Sequence, residues 1–199
     1  MKLLRHGSEP IITIQHPVCL VTGDGRTLRD DLARFSQWDV AHDTMAIGRS
    51  YQIVPGQILH WVNVDGTGSK SWAESLPRSN NGNLPLRHTM GELPGYDIDW
   101  DIENCPWNIE DVMWHGSSSL FATYICKALG YDKVVLTGCP LDSRGHWYFG
   151  EEIQGPSWTG NCYQAWLDFA RDEYAPRVRS MSGYTAQMIG EASKEWLVA

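Results

Sequence analysis

The sequence predicts a single α/β domain of 199 residues in which a mostly parallel sheet is flanked by helices. Two stretches carry that expectation. The β-prone run Val18 to Val21 meets Thr22-Gly23-Asp24-Gly25-Arg26-Thr27, after which Leu28, Leu32 and Phe35 recur at helical spacing, so strand, tight turn and helix follow one another. Further on, Ser117-Ser118-Ser119 precedes the stripe Leu120, Phe121, Tyr124, Ile125, Ala128 and Leu129, closed by Gly130. That helix leads through Tyr131-Asp132-Lys133 into the buried-type strand Val134 to Thr137. A chain of this length buries roughly two-thirds of the surface its unfolded form exposes, so one core forms without a disulfide or metal.

The remaining elements fall between these two anchors and after them. Trp38 to Ala41 and Ile58 to Val64 read as strands, the second leading into the turn Asp65-Gly66-Thr67-Gly68. From about residue 69 to 115 the pattern dissolves into Pro, Gly, Asn and Ser, which predicts a long irregular insertion of the kind that forms an active-site lid. A helix is expected from Tyr163 to Tyr174, stopped by Pro176. Val178 to Gly183 reads as a last strand and turn, and Thr185 to Trp196 as a C-terminal helix.

Composition narrows the partners. A formal net charge of -8 with no Lys/Arg cluster argues against nucleic acid. No apolar run approaches the roughly 20 residues that cross a bilayer, and Met1 to His16 lacks the apolar core of a signal peptide. Cys19, Cys105, Cys126, Cys139 and Cys162 are odd in number and widely spaced, with no CxxC pair, so a reducing, cytoplasmic setting is expected. The ten tryptophans suit structural packing with bonded indole N–H groups, stacking on a flat ligand, or a contact in a homo-oligomer.

In parallel sheets ligands collect beyond the carboxyl ends of the strands, where loops and helix N-termini converge. Three loops qualify. Gly23-Asp24-Gly25-Arg26-Thr27 lets backbone approach a ligand closely, although the third glycine of a dinucleotide fingerprint is missing. Gly116-Ser117-Ser118-Ser119 offers three hydroxyls and free backbone donors, which suits an anion or a pyrimidine edge. Gly138-Cys139-Pro140-Leu141-Asp142 turns sharply after a buried strand and ends in a carboxylate able to face a ribose hydroxyl.

Histidines supply acid and base near neutral pH, and His42, His115 and His146 follow or abut expected loops. Asp97, Asp99 and Asp101 include an Asp-x-Asp spacing that can hold a divalent metal such as magnesium against a diphosphate, or form a solvated acidic loop. No HExxH, GxxxxGK[ST] or GxSxG occurs, which removes zinc-peptidase, P-loop and α/β-hydrolase readings in their recognisable forms.

Val21 to Leu28 resembles the glycine-rich N-terminal turn of the bacterial lipooligosaccharide sialyltransferases, and Ser117 to Asp142 resembles their later turn, helix, strand and loop. Ala128-Leu129-Gly130-Tyr131 followed by Leu136-Thr137-Gly138 is similar to their wording, and related segments occur in motility-accessory-factor proteins and archaeal-type hydroxymethylpterin pyrophosphokinases. The resemblance covers about a third of the chain and implies a Rossmann-like fold holding a nucleotide or nucleotide-sugar donor. It puts Gly23, Asp24 and Gly25 at the donor phosphate or ribose, with Ser118, Ser119 and the loop after Gly138 on the nucleotide and Asn63 beside it. The activity so implied is a nucleotide-dependent transfer, foremost of a glycosyl group. The alternatives are a magnesium- and ATP-dependent diphosphotransfer and a non-catalytic nucleotide-binding module. Departures accompany the likeness: Asp24 stands for asparagine, Ser119 for glycine, and Pro140-Leu141-Asp142 for an acidic-aromatic-tyrosine loop. The stretch near Trp158-Thr159-Gly160 lacks the family's catalytic histidine. His146, then His115 or His42, are the candidates for proton transfer.

Overall fold

Strand β2 (Val18–Thr22) lies inside the sheet with all five residues buried, which is why its sequence is a continuous apolar run rather than an alternation. The structure is a computed structural model, and it describes residues 3–5, 14–64, 69–90, 96–100, 117–148 and 159–199. Before β2 comes β1 (Leu3–Arg5); after it come α1 (Leu28–Ser36), β3 (Asp43–Ile47), β4 (His60–Val62), α2 (Ser69–Glu74), β5 (Leu86–Met90) and β6 (Ile98–Trp100). Then follow α3 (Ser118–Leu129), β7 (Lys133–Thr137), α4 (Thr159–Phe169), β8 (Val178–Ser180), α5 (Gly183–Ile189) and α6 (Lys194–Val198).

The sheet order is β1-β6-β5-β4-β3-β2-β7-β8. Seven neighbouring strands, β6 to β8 in that order, run parallel, and β1 is antiparallel on β6. From β2 the chain builds outward to β6, then returns to the other side of β2 for β7 and β8. The reversal sits between β2 and β7, where their register pairs Thr22 with Thr137. This is the expected single α/β, Rossmann-like architecture, and its switch point opens at the carboxyl ends of those two strands.

Alternate residues face two layers. Cys19, Val21, Met45, Val62, Val134 and Leu136 pack under α3 and α4, against Leu120, Phe121, Ile125, Trp166 and Phe169. On the opposite face Val18, Leu20 and Val135 meet Phe35 of α1, with Met181 and Leu197. Gly130 closes α3 in the left-handed region at φ +89°.

A polar chain crosses the first of these layers. Trp100 Nε1 donates to His88 Nδ1 at 3.1 Å, His88 Nε2 meets His60 Nδ1 at 3.0 Å, and His60 Nε2 meets the Tyr131 hydroxyl at 3.0 Å. Tyr131 donates in turn to Asp43 Oδ2 at 3.0 Å, which also receives the Gln15 N–H at 2.8 Å. Indole can only donate, so its proton fixes the tautomer of neutral His88 and, through it, that of His60. Burial lowers His60 from its ordinary 6.5 to about 4, against the opposing pull of Asp43. His88 is lowered well below 6.5, again by burial and then by repulsion from a charged His60.

Several elements differ from expectation for physical reasons. The strand expected at Trp38 to Ala41 forms instead at Asp43–Ile47, because Asp39 turns the chain at φ +51° and the polar Asp43 and Thr44 are buried by tertiary partners. The helix expected to reach Tyr174 ends at Phe169, and Pro176 lies within a 3-10 turn at Ala175–Arg177. The C-terminal helix is two helices, split at Gly190 (φ +95°), whose carbonyl accepts from Ser180 N while Ala192 N donates to Ser180 O. Within 69–115 the described residues hold α2, β5 and β6, none longer than six residues. Among the described residues no helix is long and apolar enough to cross a membrane.

Candidate functional site

The glycine turn after β2 and the loop after β7 are bonded to each other. Gly23 N donates to Thr137 O and Gly25 N to Gly138 O, both at 2.8 Å. A Cβ on Gly23 would stand 2.6 Å from Cys139 Sγ, and one on Gly25 would stand 2.4 Å from Pro140 Cδ. The glycines that sequence reading assigns to a ligand are thus required by loop-on-loop packing as well. Asp31 of α1 seals the junction: its Oδ2 accepts from Gly138 N at 2.9 Å, Thr27 Oγ1 at 2.9 Å and Ser182 Oγ at 2.8 Å. Pro140 O accepts from Tyr184 N at 2.8 Å, and Leu141 is held at φ +53°, an uncommon conformation for a branched side chain.

The amino end of α3 reaches the same place. Burial pushes the Cys139 thiol up to about 12 although the Ser119 hydroxyl donates toward its sulfur. The Ser117 and Ser119 hydroxyls bond each other, and Thr123 Oγ1 donates to Ser119 O at 2.8 Å. Ser119 is buried, whereas Ser118 is half-buried. The serine turn, the glycine turn and the loop after Gly138 therefore meet around Cys139, with the positive end of a twelve-residue helix aimed at the junction.

The loop from Asp142 onward folds back over the glycine turn. Gly25 and His146 form an antiparallel bridge, Trp147 N donates to Asp24 O at 2.8 Å, and Arg26 Nε donates to Arg144 O at 2.8 Å. His146 is half-buried, with Nδ1 at 2.7 Å from the Tyr148 hydroxyl. The Asp142 carboxylate accepts from Arg144 Nε at 2.8 Å and Arg144 N at 3.0 Å. Asp24 Oδ2 accepts from Arg49 N at 3.0 Å, which carries the site on to the end of β3. Asn63, which follows β4 directly, is buried and donates to the Tyr96 hydroxyl at 3.1 Å.

No family model, curated protein or solved structure matches this chain.

Of the sequence candidates, Gly23, Asp24, Gly25, Arg26, Thr27, Gly138, Pro140, Asp142 and His146 share one corner, joined there by Ser117, Ser118 and Ser119; Asn63 follows a strand on the same edge. His42 is not brought to them. It precedes β3, at the amino edge, with Nδ1 at 2.7 Å from Val40 O and its ring edge-on to Phe35. The displaced strand is the reason: a strand ending at Ala41 would have put His42 at the carboxyl edge. His115, Gly116, Asp101 and the turn at 65–68 lie outside the described residues, as does Cys105. Asp97 is taken up by Arg87, whose Nε and Nη2 donate to its two oxygens at 2.9 and 2.8 Å, at the amino end of β6. Among the described residues no group of His, Cys, Asp and Glu is arranged to hold a metal ion.

Two residues of this corner, Asp31 and Arg49, carry no local signal of a site in the sequence. Asp31 carries the pattern of an ordinary acidic first-turn residue, yet it is 2% exposed. Arg49 follows Gly48 after β3, and the Gly48-Arg49-Ser50 turn could have been flagged as a strand end had β3 been placed correctly.

Proposed function

We propose that the protein is a nucleotide-dependent transferase, foremost a glycosyltransferase that takes its donor as a nucleotide sugar. The observation that carries this reading is the meeting of the α3 amino end with the glycine turn and the loop after β7 at the switch point of a parallel sheet. That is where open α/β sheets bind phosphorylated ligands, because helix N–H groups there receive negative charge without reorganising. Ser118 and the first-turn N–H groups of α3 face the donor phosphate in this reading. Asn63 and Asp142 serve the base and ribose, and His146 exchanges the acceptor proton. The setting that goes with it is cytoplasmic, with small-molecule ligands and an optional homo-oligomer. Four buried free cysteines among the described residues suit such a compartment.

Asp24 favours a second reading, ATP- and magnesium-dependent diphosphotransfer. A carboxylate on this turn repels phosphate unless a cation intervenes, and the Arg49 N–H that Asp24 Oδ2 accepts offsets its charge only in part. One experiment separates the readings: thermal shift with cytidine, uridine, guanosine and adenosine nucleotides and their sugar conjugates, with and without magnesium, followed by product analysis. A stabilising nucleotide sugar that releases free nucleotide supports glycosyl transfer, and ATP turnover with magnesium supports the second reading. Stoichiometric binding without product marks a binding module. The nucleotide site itself fails if no compound stabilises the wild type more than a Ser118→Ala, Ser119→Ala double variant.

A further inference from the structure

We infer that Arg49 is an oxyanion-binding residue, which holds a phosphoryl group of the ligand between the rings of Trp72 and Tyr148. The turn that carries it is rigid. Gly48 N donates to Val62 O at 3.0 Å, Trp61 Nε1 donates to Gly48 O at 2.8 Å, and Arg49 N donates to Asp24 Oδ2 at 3.0 Å. Ser50 Oγ adds bonds to Ile47 N at 3.1 Å and Thr22 O at 2.9 Å. Gly48 sits at φ +54°, and a Cβ there would strike Asp24 Oδ2 at 2.4 Å, so the carboxylate tucks beneath the turn and only glycine fits.

The guanidinium that projects from this turn is held by rings rather than by acceptors. Its Cζ lies 4.6 Å from the Tyr148 ring centroid and 5.9 Å from that of Trp72. Nε is buried with no hydrogen-bond partner, and Arg49 takes part in none of the ion pairs among the described residues. A buried N–H without an acceptor is costly, and aromatic faces satisfy the charge without using the planar donor fork. That fork matches the oxygens of a phosphate or carboxylate in bidentate fashion. Tyr148 also bonds His146 at 2.7 Å, so the anion would lie one ring away from the candidate acid/base.

The inference deepens the nucleotide reading and rests on it for the nucleoside part of the ligand. Calorimetric titration of the whole chain with inorganic pyrophosphate, cytidine monophosphate, cytidine and glucuronate tests it, using the wild type, Arg49→Met and Arg49→Lys. The expected result is that Arg49→Met weakens pyrophosphate and cytidine monophosphate by about tenfold or more, with Arg49→Lys between. Cytidine binding stays unchanged. Pyrophosphate binding lost in Arg49→Met without any nucleotide binding in the wild type keeps the anion site and removes the nucleotide reading. Cytidine monophosphate binding that Arg49→Met leaves within twofold keeps the nucleotide reading and overturns the inference. A preference for glucuronate over pyrophosphate, or no binding of either anion by the wild type, also overturns it. Circular dichroism of both variants confirms that the fold is retained.

Discussion

The Asp31 carboxylate accepts the Gly138 backbone N–H at 2.9 Å, joining the first helix to the loop behind β7. The same oxygen takes the Thr27 and Ser182 hydroxyls, so one buried atom fixes three segments around the switch point. Replacing it with alanine leaves the buried Gly138 N–H and the Thr27 hydroxyl without this acceptor, and Ser182 with Thr27 Oγ1 in its place. Asp31→Ala is expected to lower unfolding free energy by about 2 to 4 kcal/mol in urea denaturation, with Asp31→Asn losing less. A loss below about 0.5 kcal/mol would show that the junction holds without it.

Two glycines with left-handed backbone separate strain from packing. Gly130 at φ +89° has nothing near its absent Cβ, while at Gly138 (φ +63°) a Cβ would meet Gly23 O at 2.5 Å and Leu28 Cβ at 2.8 Å. Gly130→Ala is expected to cost about 1 to 2 kcal/mol for conformation alone. Gly138→Ala adds a collision of the new Cβ with the Gly23 carbonyl and the Leu28 side chain, and is expected to exceed it by at least about 1 kcal/mol. Equal costs in matched denaturation curves would sink the claim that the two loops interlock.

Acid stability follows from the histidine pair. Well above pH 6.5 both rings are neutral in the native and the unfolded chain, and their contribution to stability is intact. As pH falls from 6.5 toward 4 the unfolded chain takes up protons that native His60 and His88 refuse, so stability falls with falling pH. Each ring contributes about 1.4 kcal/mol per pH unit, or about 3 kcal/mol for His60 by pH 4. Urea midpoints measured across this range should show the slope, and His60→Gln should remove about one proton from it. A flat profile contradicts the assignment.

For the transferase reading, His146 and the anion contacts separate chemistry from binding. His146→Gln is expected to lower turnover by about a hundredfold or more while donor affinity changes by less than about threefold. Single-turnover assays beside equilibrium titration measure both quantities. Unchanged turnover would assign proton transfer elsewhere.

The strand, glycine turn and first helix were legible because their signals are local: an apolar run, a glycine pair and an apolar stripe within twenty residues. The same holds for the helix that Gly130 closes. What escaped was encoded by distant partners. Asp43 and Thr44 read as loop, yet they open β3 because Tyr131 and Gln15 satisfy Asp43 inside the fold. His88 and Thr89 hid β5 in the same way, since buried polar residues on a strand break the hydrophobic period that reveals it. In the candidate site the three turns were found, but Arg49 was not, because its surroundings come from Trp72 and Tyr148. Gly190 falls inside the span Thr185 to Trp196 that reads as one helix, and only its pairing with Ser180 makes it an end.

The chain from Trp100 through His88, His60 and Tyr131 to Asp43 links β6, β5, β4 and β3 from strand to strand, beside their backbone hydrogen bonds. Short strands near the edge of a sheet usually fray, exchanging their amide hydrogens through small local openings. Here β6 cannot peel away without stranding an indole and two imidazoles that β3 and the α3–β7 turn hold in line. The amides of β5 and β6 are therefore expected to exchange in step with those of β3, so that the side of the sheet farthest from the ligand corner opens only when its centre does.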